Sequence, residues 1–124
     1  MARLMSVQLT EQAVVDRVKT VTRRLGWRTL EPGTRLTLCR KVMGRWHRDP
    51  GTGLVVVQPL VRLAEVYVWS VRREKVNEIT LSDVAKEGFP DLTPAQFVAF
   101  FCEAMRCEPD TEVTRIEFRY MDEE

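Results

Sequence analysis

A chain of 124 residues, 44% hydrophobic and 30% charged, has the length of one folded domain and is too apolar for a disordered one. No apolar run approaches the roughly 20 residues of a membrane helix, and the N-terminus shows no apolar core of signal-peptide length, so no membrane partner is expected. The net charge of +1 conceals an asymmetry: residues 1–50 hold 11 Lys and Arg against 4 Asp and Glu, and residues 51–124 hold 8 against 14.

The basic half invites an anionic partner, of which nucleic acid is the commonest; alternatively the two halves pair within the fold. The odd set Cys39, Cys102 and Cys107, without a CxxC pair, points to a reducing, cytoplasmic setting. With His47 the one histidine, neither a metal nor a cofactor is expected. Cys102 reads as a small buried residue on a helix.

In chain order, the alternation of Met5, Val7 and Leu9 predicts an opening strand. Thr10 then suits an N-cap, with Glu11 at the positive end of a helix over about 11–18. Lys19-Thr20-Val21-Thr22-Arg23-Arg24 follows, closing that helix or leaving it. Three cations and two hydroxyls in six residues can hold phosphates, carboxylates or polar base edges. They also suit a solvated helix end. Gly26 permits a turn that sets Trp27 beside the cations, where a ring stacks a base, or lets it plug a core.

Pro32-Gly33 marks a turn into a strand over Arg35–Cys39. Residues 42–53 read as a long exposed hairpin connection with Arg45, Trp46, His47 and Arg48 at its tip, a reach better suited to a polymer than to a free nucleoside. Leu54–Val57 is a strand. The stretch 61–72 is apolar on both parities, which requires a bulge or strong curvature; Tyr67 and Trp69 read as packing. Thr80 caps a helix over about 81–87, closed by Gly88. Thr93, Pro94 and Gln96 form a capping box, and Phe97, Val98, Phe101, Ala104 and Met105 form a stripe expected to be core. Val113–Tyr120 is the last strand. With no repeat or linker, one domain over 1–124 is expected.

"VKTVTRRLGW", "LEPGTRLTL", "VAKEGF" and the closing "VTRIEFRY" resemble the ASCH family of the PUA-like superfamily. The resemblance implies an α+β fold: a mixed β-barrel of about five or six strands with about three flanking helices. It also implies RNA binding, or binding of a modified nucleoside, since many such domains are thought to bind RNA. One subgroup hydrolyses the acetyl amide of acetylated cytidine and carries a K-T-x-T-x-R pattern, matched here by Lys19, Thr20, Thr22 and Arg24. By that likeness Lys19, Thr22 and Glu87 are the catalytic set. An RNA-cleaving activity is a further possibility within the family.

An amide needs a nucleophile, a base and a proton donor. Thr22 would attack, and Lys19 would take its proton if burial lowers the ammonium pKa. Lys19 precedes Thr22 by three residues, so a helix would place both on one face. Glu87 would hold Lys19 or relay the proton, and Arg24 would face the oxyanion or a phosphate. The alternative is binding without reaction. Lys19 and Arg24 then hold phosphate, Thr22 bonds a base edge, and Glu87 accepts from an exocyclic amine. Thr20, Arg23, Trp27 and Arg45 complete the expected ligand contacts. The sequence leaves monomer and weak dimer open.

Overall fold

The computed structural model describes residues 3–40, 46–57 and 60–123. Five strands form one curled sheet in the order β1 (Arg3–Ser6), β3 (Arg35–Cys39), β6 (Arg62–Lys75), β7 (Glu112–Tyr120) and β2 (Val21–Arg24). Only β1 and β3 run parallel; the other neighbours are antiparallel. The sheet is a half-barrel with three helices, α1 (Glu11–Val15), α2 (Leu81–Lys86) and α3 (Pro94–Met105), an α+β architecture. A hairpin of β4 (Trp46–Arg48) and β5 (Val55–Val57) stands apart from the sheet.

The inner face of the half-barrel is built from alternating residues. Leu36 lies opposite Val66, Val66 opposite Tyr120, and Val68 opposite Phe118, all buried in one cluster. On β6 the register shifts between Val68 and Ser70, and Val71 then packs toward that same cluster. Trp69 is the extra residue, so inward parity passes from even to odd positions and apolar residues occupy both. A second cluster, including Val84, Phe97, Phe101 and Val113, joins α2 and α3 to β7.

Several local expectations change. The opening strand stops at Ser6, and Leu9 is 62% exposed. Helix α1 ends at Val15 instead of 18, and the Thr10 hydroxyl makes no cap bond. Arg17 turns left-handed at φ 60°, and Val18 N–H reaches back to Ala13 O at 2.8 Å. That six-to-one bond ends a helix and releases the chain. The segment that follows is extended: β-branched Val21 and Thr22 enter β2 and pair with β7. Lys19 and Thr22 therefore do not share a helical face.

The 42–53 connection also differs. Trp46–Arg48 is strand, and the turn lies at Asp49–Leu54, held by Leu54 O accepting from Asp49 N–H at 2.8 Å. Arg45 lies outside the described residues. Trp69 is half exposed, not packed inside, and Cys102 is partly buried. The two predicted caps stand: Thr80 Oγ1 accepts from Asp83 N–H, and Thr93 with Gln96 forms the reciprocal box.

Candidate functional site

A curled sheet that does not close leaves two edges, β1 and β2. Arg24 crosses the gap between them: its Nη2 donates to Ser6 O at 2.6 Å and its Nε to Thr22 Oγ1 at 3.3 Å. The candidate site lies at this seam. It is a cleft of about 230 Å³ whose floor is Lys19, Thr22, Arg23, Arg24 and Glu87.

Glu87 reaches the floor because Thr20 N–H donates to Lys86 O at 2.9 Å, tying the start of β2 to the end of α2. Gly88 then turns away at φ +109°. A Cβ there would stand 2.9 Å from the Ala13 methyl, so only glycine lets α1 pack this closely. Lys19 is 2% exposed, and its Nζ donates to Glu87 O at 2.7 Å and to Glu87 Oε1 at 2.9 Å. Burial drives the Lys19 ammonium below its ordinary pKa, and the Glu87 carboxylate only partly opposes this.

Arg23 is equally buried and anchors the floor to the helices. It donates to Asp83 at 2.6 Å, to Glu74 at 2.9 Å and to Glu87 at 3.1 Å. Arg115 grips Asp83 with a fork at 2.6 and 3.0 Å. Burial alone would raise the Asp83 pKa; the bonds from Arg115 and Arg23 reverse this and hold it well below the carboxylate range. The Arg23 Nε is a buried donor with no partner among the described residues. For Arg24, burial lowers the pKa and Glu87 opposes it.

The opposite wall is apolar: Phe89, Phe97, Phe100, Phe101 and Met105. Phe89 lies 5.8 Å from Phe97 and 5.2 Å from Phe100 between ring centres. The α3 stripe is thus only partly core. Phe97 and Phe101 are buried, but their edges and the half-open Phe100 and Met105 line the cleft.

Lys19, Thr22, Arg23, Arg24 and Glu87 therefore come together. Thr20 contributes through its backbone, with its N–H on Lys86 O and its carbonyl accepting from Phe118 N–H at 2.9 Å. Trp27 does not stand beside the cations. It has φ +58°, packs against the barrel core, and carries the Arg3 guanidinium 4.3 Å above its ring. Sequence reasoning missed the phenylalanine wall and the Asp83–Arg115–Glu74 support. The signal present was Phe89 directly after the Glu87-Gly88 turn. Among the described residues no three His, Cys, Asp or Glu side chains gather to hold a metal ion, and no helix is long and apolar enough to cross a membrane.

No protein-family model and no curated protein matches the chain. Solved structures do. The ASCH domain from Lactobacillus crispatus JV V101 superposes with a TM-score of 0.60 at 12% identity, covering 95% of this chain and 79% of that one. ASCH from Zymomonas mobilis gives a TM-score of 0.54 at 18% identity over 94% of this chain and 65% of that one. The fold is ASCH-like. A DUF984 protein from Enterococcus faecalis V583 shares it, with a TM-score of 0.58 at 18% identity over 90% of this chain. This ASCH-like chain spans 66% of the length of that protein.

Proposed function

We propose that this ASCH-like protein binds RNA or a modified nucleoside, with one base held in the seam cleft. The observation that carries the reading is the pairing of a cationic and hydroxyl floor with a phenylalanine wall in about 230 Å³. That volume is below the ~300–1,000 Å³ of sites for drug-sized ligands and suits a single planar ring system. The phenylalanines supply flat apolar contact. Thr22 and Glu87 supply an acceptor or donor for a base edge, and Lys19 with Arg24 supplies positive charge for a phosphate or carbonyl oxygen. The resemblance in residues 17–27 adds the RNA-binding expectation. Isothermal titration with cytidine, acetylated cytidine and cytidine monophosphate tests it. Saturable binding that Lys19→Ala weakens is expected; no heat with any of them sinks the reading.

A second reading, an amidohydrolase acting on acetylated cytidine, rests on the Lys19–Glu87 contact. A buried lysine with a lowered pKa beside a carboxylate is what a base near a threonine needs. Lys19 Nζ, however, donates to Glu87 and not to Thr22, whose hydroxyl accepts from Arg24, so no bond joins the nucleophile to its base. Binding is therefore the better-supported reading.

A further inference from the structure

The outside of β3, β6 and β7 presents a second face of the half-barrel, away from the cleft. Helices α2 and α3 cover only the part of the outer surface near Arg23, Arg115 and Val113. On the remainder, register sets Arg35 opposite Tyr67 and Tyr67 opposite Arg119. The bulged Trp69 stands beside this row, 50% exposed. Its ring meets Tyr67 edge-on at 6.4 Å, and the Arg119 guanidinium lies 3.9 Å from its centre. A groove of about 820 Å³, lined by Arg35, Arg62 and Thr37 together with the carboxylates Glu65 and Asp122, meets this row at Arg35.

The charges on this face are not balanced like those under the helices. Among the described residues, Arg35, Arg62 and Arg119 have no carboxylate partner, whereas Arg23 and Arg115 are both ion-paired to Asp83. The carboxylates nearby are engaged: Glu65 accepts from Thr37, Glu117 accepts from Ser70 and faces Arg115, and Asp122 is held by Arg17 at 2.7 Å. An exposed tryptophan at a bulge, backed by an arginine and flanked by guanidiniums without carboxylate partners, combines a stacking platform with phosphate contacts.

We propose that this outer face docks single-stranded RNA, with a base stacked on Trp69 and phosphates on Arg35, Arg62 and Arg119. RNA is the strand that the cleft reading calls for, and in that choice the inference rests on it. Its residues are separate from the cleft. A second copy of the chain fits poorly, because self-association would oppose like-charged guanidiniums.

The test is fluorescence anisotropy of a labelled oligouridylate ten-mer at low salt, with free nucleoside titrated in parallel. Trp69→Ala is expected to weaken the ten-mer about 5- to 100-fold, as loss of one stacked base does. It leaves nucleoside affinity in the cleft unchanged. Because Trp69 is half exposed, circular dichroism should show the fold intact. Arg35→Ala with Arg119→Ala is expected to reduce the slope of log affinity against log salt by about 1.4, two phosphates at roughly 0.7 each. Ten-mer affinity unaffected by Trp69→Ala, or a salt slope unchanged in the arginine double variant, overturns the proposal even if nucleoside still binds the cleft. So does a wild-type dimer, seen by analytical ultracentrifugation, that Trp69→Ala disperses. Loss of nucleoside binding alongside Trp69-dependent ten-mer binding would remove the cleft reading and leave this face standing.

Discussion

Lys19 donates both to the carboxylate and to the backbone carbonyl of Glu87, 68 positions later in the chain, and both residues are buried. Desolvating two charges costs several kcal/mol each, and mutual attraction offsets that only while both partners remain. Lys19→Met should therefore destabilise the fold by about 3–5 kcal/mol by leaving Glu87 with Arg23 alone. Adding Glu87→Gln should cost less than the sum of the single changes, because the orphaned charge goes with its partner. Urea unfolding of the four proteins in the cycle measures this. Strict additivity would show that the pair is not energetically coupled.

The pH dependence has a definite sign on each side. Asp83 titrates from an ordinary value of 3.8 when unfolded to well below it when folded. Its contribution is complete above that ordinary value and is lost as pH falls through the window beneath it. Stability should drop steeply below about pH 4, and Asp83→Asn, though less stable at pH 7, should flatten that slope. Lys19 acts oppositely at the alkaline end. Its folded pKa lies below 10.5, so the unfolded chain binds more protons in the interval, and its contribution rises with pH there. Denaturant midpoints from pH 2 to 11 for wild type, Asp83→Asn and Lys19→Met test both signs; an unchanged acid slope in Asp83→Asn contradicts the first, and an unchanged alkaline slope in Lys19→Met the second.

Gly88 is the backbone device that aims Glu87. Alanine there must adopt φ +109° and place its Cβ 2.9 Å from Ala13. Strain of this kind costs about 1–3 kcal/mol. Gly88→Ala should lower the denaturant midpoint by that amount and weaken any cleft ligand as the Glu87 carboxylate shifts. A variant as stable as wild type would mean that the α1 contact yields without cost.

What was legible in the sequence follows from the range of the forces involved. Helix caps are local, so Thr80 and Thr93 announced α2 and α3 in the right places. The bulge at Trp69 was legible because a parity switch leaves apolar residues on both faces of one strand. The state of Lys19–Arg24 was not. Its cations suit a helix end locally, and only pairing with β7, some 90 positions away, makes it a strand. The burial of Arg23 was hidden likewise, since Glu74, Asp83 and Glu87 come from distant elements. Lys19 and Thr22 stand out by the density of cations and hydroxyls in Lys19–Arg24, whereas Glu87 and the catalytic roles come from family resemblance alone; the helical argument for Lys19 and Thr22 fails on an extended chain. The phenylalanine wall escaped because a side chain packed into a core and one lining a cleft give the same helical spacing.

Binding and hydrolysis predict different responses to the same two substitutions. If the cleft only binds, Lys19→Ala should weaken a nucleoside by about 1.5–3 kcal/mol, the scale of a charged hydrogen bond. Thr22→Ala should then cost about 0.5–1.5 kcal/mol, as a neutral bond does. If the cleft hydrolyses, wild type should release acetate from acetylated cytidine. Each single change should then cost several orders of magnitude, and the double variant little more, because nucleophile and base act as a unit. The graded pattern is favoured because Thr22 Oγ1 accepts from Arg24 while Lys19 Nζ donates to Glu87, so no bond joins the nucleophile to the base. The measurement is acetate release, followed by chromatography of cytidine, beside calorimetry on the same variants. Graded affinities without turnover establish the binder. Turnover abolished by both single changes establishes the enzyme, and turnover that survives Thr22→Ala assigns the nucleophile elsewhere.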